Sequence, residues 1–190
     1  MSAATLIPCS ITFSRAALTP LLLYFITQSA YTEAIAVFTA ICLSDLLDGY
    51  AARILRACTR LGASMDVYAD VLYILSSLLV LNTLGLAPFW FTMAAAFKFI
   101  EFAATSAILK RGGGRENTWV FDAPGRCSAA LIFLSPGVFC LAAAQPGHMA
   151  YVTYFILIPA CALAAASSGW RIARCIRSMN AYHSQRMQGA

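Results

Sequence analysis

Six apolar windows, at 5–28, 31–56, 61–83, 87–109, 123–144 and 148–172, take up most of this 190-residue chain. Crossing a bilayer takes about 20 helical residues, so every window is long enough to span one. Turn-forming residues separate most of them: Asn82, Gly85 and Pro88; Gly112-Gly113-Gly114; and Pro146-Gly147. A hydrocarbon interior offers backbone groups no partner, so each window is expected to be helical. Apolar residues make up 61% of the chain. A soluble globule of this size could not hide so much apolar surface, and a disordered chain would not carry it. The expected fold is all-α: a polytopic membrane bundle of six transmembrane helices, with residues 1–190 forming a single domain. The run 21–26 followed by Ser29-Ala30 has the look of a cleaved leader. No basic residue lies near residue 1, however, so a retained first helix is expected.

The charges then orient the bundle. The loops near 28–32, 83–88 and 144–148 hold no Lys or Arg. Arg56 and Arg60 fall in the loop near 54–61. Lys110, Arg111, Arg115 and Arg126 fall in the loop near 110–126, and Arg171, Arg174, Arg177 and Arg186 in the C-terminal tail. The positive-inside rule places both termini and these loops in the cytoplasm. In a bacterium the host bilayer would be the inner, or plasma, membrane. Eleven of the 13 basic residues are Arg, the better bidentate phosphate partner. No feature points to a nucleic acid. The seven Cys residues contain no CxxC pair and read as small packing residues. Arg171, Arg174 and Arg177 read as the basic stop after the sixth helix, with an interfacial helix as the alternative. His148 and His183 lie on opposite sides of the expected membrane and share no site.

Four carboxylates stand out against this apolar background. Asp45 and Asp48 lie near the cytoplasmic end of the second helix; Asp66 and Asp70 lie near the cytoplasmic start of the third. An ionised carboxylate at the bilayer centre costs about 2.5–3.5 kcal/mol, so such residues face a cavity or a partner. Spacings of i,i+3 and i,i+4 put each pair on one helix face. At 1.5 Å per residue, Asp48 lies about 12 Å back from Arg56 and Asp70 about 14 Å on from Leu61, so the pairs are level. Four like charges at one level require cations between them or protons on some of them. Carboxylate oxygens suit Mg²⁺ or Mn²⁺, and a two-metal site can clamp the oxygens of a phosphoryl displacement. Gly49 and Ala52 leave room beside the first pair, and Gly62 lies on the 62-66-70 stripe. Arg53 is placed to hold a phosphate. Small-residue helix packing and a topology-setting Arg are the plainer explanations of these four.

The pattern Asp45-x2-Asp48-Gly49-x2-Ala52-Arg53-x8-Gly62-x3-Asp66-x3-Asp70 resembles the signature of the CDP-alcohol phosphatidyltransferases, in all eight fixed positions and every gap. The stretch from Pro8 through Ile11 and Thr12 to Arg15 is similar to that family's Pro-Asn-x-Ile-Thr-x-x-Arg start. Cys9 stands at the Asn position. The resemblance implies a six-helix membrane enzyme, often a homodimer, with its active site at the cytoplasmic side. It further implies transfer of a phosphatidyl group from CDP-diacylglycerol to a small alcohol, with release of CMP. Carried over by position, Asp45, Asp48, Asp66 and Asp70 would bind two divalent cations, Mg²⁺ or Mn²⁺. Asp70 would also take the acceptor's proton. Gly49, Ala52, Arg53 and Gly62 would line the nucleotide site.

The acceptor is less sharply specified. Val71 follows the last Asp where the family's glycerol-phosphate enzymes usually carry Lys, and the Ser-Phe-Gly pattern of serine-using members is absent. Lys110, Arg111 and Arg126 are candidates for holding an acceptor phosphate, or are positive-inside residues at helix ends. Lys98 and Glu101, at i,i+3, are expected to neutralise each other. Glycerol 3-phosphate is the expected acceptor, with inositol phosphate, serine or phosphatidylglycerol as alternatives. A cation transporter is the competing class, since intramembrane carboxylates also mark ion pathways. It fits less well, because only Glu33 continues an acidic path outward.

Overall fold

The computed structural model describes the backbone of residues 15, 17–55, 60–111, 123–145, 147, 151 and 153–188. Among these it describes the side chains up to residue 47, from 65 to 108, from 123 to 151 and from 155 to 177. All secondary structure among the described residues is helical. The helices are α1 (Ala17–Thr27), then α2 (Tyr31–Leu55), α3 (Arg60–Thr83), α4 (Phe89–Arg111), α5 (Ala123–Ala144) and α6 (Ile158–Gln188). A short π-helical turn, Thr153–Leu157, leads into α6.

The segments Met65–Thr83, Phe89–Ile108, Ala123–Ala144 and Phe155–Arg177 are long and apolar enough to cross a membrane. Large apolar side chains, among them Leu47, Leu72, Phe97 and Phe155, point outward. Lipid contact explains that exposure, and the chain is an integral membrane protein. The helices match the expected windows closely, with two differences. The first window is described as helix over Ala17–Thr27 and at Arg15. The sixth continues as helix through the basic tail to Gln188, because nothing in 173–188 breaks it.

Two connections show why the chain turns where it does. After α1, Ser29 N–H bonds to Ile26 O at 3.0 Å and Ala30 N–H to Phe25 O at 3.0 Å. After α3, Gly85 N–H bonds to Asn82 O at 3.0 Å and Leu86 N–H to Leu81 O at 2.9 Å. Both are Schellman closures with a left-handed residue, Ser29 (φ 56°) or Gly85 (φ 70°), at the stop. Asn82 adds side-chain bonds to Leu78 O at 2.6 Å and Thr92 Oγ1 at 2.7 Å, tying α3 to α4.

Helix α5 is the hub, packing on α2, α3 and α6, while α4 touches α3 and α6. It carries Pro136 in its buried interior. Proline has no N–H, so Ile132 O loses its helical donor. Ser135 Oγ donates to that carbonyl at 2.7 Å instead, which lets a proline sit inside a membrane helix. The next residue, Gly137, lies directly against the Phe38 ring of α2, where a Cβ would collide. This close approach sets the spacing of α2 and α5.

Candidate functional site

The carboxylates are continuations of buried helix faces. In α3 the buried residues are Tyr73, Ile74, Ser77, Leu78 and Leu81. Stepping back along that stripe at helical period reaches Asp70 and Asp66. In α2 the stripe through Ala34, Phe38 and Ile41 reaches Asp45. Asp45 lies ten residues before Leu55 and Asp70 ten residues after Arg60, each about 15 Å along its helix. The two faces therefore bring their carboxylates to one level, as the spacing predicts.

The group they meet is Arg15. Its Nη1 donates to Asp70 Oδ1 and its Nη2 to Asp45 Oδ1. Nη1 also lies 3.2 Å from Asp66 Oδ1. The Arg15 side chain is 1% exposed, whereas those of Asp45, Asp66 and Asp70 are 43%, 48% and 30% exposed. Thr19 Oγ1 caps the Arg15 carbonyl at 2.9 Å. Sequence reasoning placed Arg15 in a motif without assigning it this partner role. The available signal was its position inside an apolar window, where an unpaired charge is costly.

A cavity of about 370 Å³ opens beside the cluster. Asp45 and Asp70 form its polar edge; Cys42, Ile74, Phe99 and Phe133 line its apolar side. Polar chemistry thus borders an apolar space at one point in the bundle.

Three carboxylates from two helices supply an all-oxygen donor set that fits a hard divalent cation. The Arg15 guanidinium meets all three through two of its nitrogens, so the three carboxylates converge on one buried cation. Among the described residues, no three His, Cys, Asp or Glu side chains are arranged to hold a metal ion, and Arg15 bonds to the three carboxylates instead.

The remaining predicted residues divide as follows. Asp48, Gly49, Ala52 and Arg53 belong to α2, Gly62 to α3, and Lys110 and Arg111 to the end of α4. Their side chains lie outside the described residues, as does Cys9. Arg126 is exposed in the first turn of α5.

A second charged centre lies between α4 and α6. Lys98 Nζ donates to Glu101 Oε2 at 2.8 Å, Ser168 Oγ at 3.0 Å and Ser167 Oγ at 3.1 Å. Arg171 donates to Thr105 Oγ1 at 2.6 Å and Ser106 Oγ at 3.0 Å, and its Nε lies 3.5 Å from Glu101 Oε1. Its guanidinium also covers the Phe102 ring at 4.6 Å. The Lys98–Glu101 pair forms as expected. Arg171 does not follow the sixth helix as a basic stop: it lies within α6, is 1% exposed and is bound into the bundle.

These features define a membrane-embedded helical protein with a carboxylate-rich centre at the border of an apolar cavity. The CDP-alcohol phosphatidyltransferase family model matches residues 5–172, and the chain belongs to that family. It is 34% identical over 139 residues to a CDP-diacylglycerol–glycerol-3-phosphate 3-phosphatidyltransferase of Pseudomonas fluorescens, covering 67% of this chain and 71% of that one. A protein of the same description from Aquifex aeolicus is 37% identical over 73 residues, 38% of this chain and 41% of that one. A putative cardiolipin synthase of Mycobacterium tuberculosis is 31% identical over 106 residues, 54% and 50% respectively. The chain spans about half the length of several such relatives.

Proposed function

We propose that the protein transfers a phosphatidyl group from CDP-diacylglycerol to glycerol 3-phosphate and releases CMP, as a step in phospholipid synthesis. The observation that carries this reading is the meeting of Asp45, Asp66 and Asp70 beside an apolar cavity. A lipid-linked nucleotide needs such a border, with its acyl chains in the apolar part and its diphosphate at the carboxylates.

Asp45, Asp66 and Asp70, with Asp48, would hold two divalent cations, Mg²⁺ or Mn²⁺. When bound, these ions would offset the diphosphate charge and orient it for displacement. Asp70 is the least exposed of the three described carboxylates and lines the cavity. Its role is to take the proton from the acceptor hydroxyl. The acceptor oxygen then forms its bond to the phosphatidyl phosphorus as the bond to CMP breaks, and CMP leaves with the electron pair. Gly49, Ala52, Arg53 and Gly62 would seat the nucleotide, and Lys110, Arg111 and Arg126 the acceptor phosphate. The positive-inside pattern supports a cytoplasmic site and cytoplasmic termini. A homodimer is part of the same reading.

Phosphatidylglycerol is the second acceptor to test, since relatives described as cardiolipin synthases match at 31% identity. Purified protein with CDP-diacylglycerol and a panel of acceptors, in Mg²⁺ or in EDTA, decides the question. The expected result is Mg²⁺-dependent CMP release with glycerol 3-phosphate. Release with serine alone sinks the acceptor, and ion flux without CMP release sinks the reaction class.

A further inference from the structure

Arg15 and Arg171 are equally buried, yet their surroundings differ in kind. Arg171 meets neutral hydroxyls, a carbonyl and one carboxylate, and its Nε bonds to Thr105 Oγ1 at 2.9 Å. Arg15 meets three carboxylates, and its Nε is buried with no hydrogen-bond partner. Among the described side chains, one guanidinium faces three carboxylates. The seat holds the cluster together while the Arg15 Nε stays without a hydrogen bond.

A guanidinium stays protonated at any accessible pH, so it cannot vacate the seat by losing its charge. It can leave only by moving. The carboxylates it holds are partly exposed, so ions can reach them from the side that Arg15 does not cover. We infer that Arg15 is a placeholder cation. It spans Asp45, Asp66 and Asp70 when divalent ions are absent, and it yields those oxygens when the ions bind. Arg15 and the ions are thus competitors for one set of oxygens. Competition has two linked consequences: Arg15 protects the ion-free bundle from carboxylate repulsion, and it lowers affinity for the ions. It sets the ion concentration at which the site fills.

This inference rests on the divalent-cation reading above. The test uses the full chain in lipid nanodiscs, with Mn²⁺ as the probe. Free Mn²⁺ is followed by its electron paramagnetic resonance signal, and thermal unfolding is measured in EDTA and in Mn²⁺. Removing the competitor in Arg15→Met is expected to tighten Mn²⁺ binding at least about tenfold, within the usual range of coupling between two sites. The same variant is expected to unfold at lower temperature than wild type in EDTA and to recover in Mn²⁺. Arg15→Lys, which keeps a cation, is expected to fall between the two. Mn²⁺ affinity in Arg15→Met equal to or weaker than wild type overturns the placeholder, because a purely structural arginine would not oppose the ion. If Arg15→Met folds neither in EDTA nor in Mn²⁺, and Arg15→Lys fails with it, the inference is likewise overturned. Wild-type protein that binds no Mn²⁺ sinks the cation reading itself and takes this inference with it, so the two failures are distinct.

Discussion

The two charged centres of this bundle are opposites. Between α1, α2 and α3, three partly exposed carboxylates surround one buried cation. Between α4 and α6, two buried cations share one buried carboxylate and bond to neighbouring hydroxyls, while Glu101 Oε1 has no hydrogen bond. Glu101 lies ten residues before Arg111, about 15 Å along α4, much as Asp70 lies along α3. Depth within a helix therefore does not separate the candidate active centre from the second charged centre. What separates them is exposure and the sign of the excess charge. The α4–α6 centre is buried, with two cations to one carboxylate. Among the described side chains the other centre is partly exposed, with three carboxylates to one cation.

The sharpest way to break this comparison is to neutralise one member of each centre. Asp70→Asn is expected to lower CMP release by about 10²–10⁴-fold, the usual contribution of a positioned proton acceptor. Its unfolding temperature should stay near that of wild type. Full CMP release in folded Asp70→Asn would remove Asp70 from the chemistry. Glu101→Ala strands Lys98 and Arg171 without their shared carboxylate and is expected to cost about 3–5 kcal/mol of stability. Denaturant or thermal unfolding in detergent checks this. Replacing the whole centre by Lys98→Met, Glu101→Leu and Arg171→Leu together should recover most of that loss, since a well-packed apolar substitute is often neutral. If the triple variant is stable but inactive, the second centre takes part in the reaction and the contrast drawn here fails.

Smaller effects test the seams that hold each centre. Gly137→Ala sets a methyl group against the Phe38 ring where α5 meets α2. Overpacking of this kind is expected to cost about 1–3 kcal/mol, read as a lower unfolding temperature. Gly169→Ala in α6 adds a methyl group with nothing within 4 Å. It is expected to be neutral, or to stabilise by up to about 1 kcal/mol through helix propensity. Equal effects at the two glycines would show that the α2–α5 approach is not tight.

Much of the site could be read in advance because its geometry is local. Asp66 and Asp70 share a face because a helix has 3.6 residues per turn, and the buried stripe from Tyr73 to Leu81 says which way that face points. The same logic carries Asp45 on α2. The two arginines could not be read in this way. Each sits in an apolar window, which flags a buried partner, but the partner lies 30 to 70 positions away: Asp45 is 30 from Arg15, Glu101 is 70 from Arg171. A long, flexible side chain reaches in many directions, and its partner depends on which helix lies alongside. Only the bundle settles that.

The sequence by itself determined that this chain lives in a membrane, how many helices to expect, and that Asp45, Asp66 and Asp70 lie at one level. All of these follow from hydropathy, charge and the period of a single helix. The tertiary structure decided that Arg15 is the cation those carboxylates meet. It also decided that Arg171 is buried between α4 and α6, bonded to Thr105 and Ser106. These depend on contacts between distant segments, which no single helix encodes.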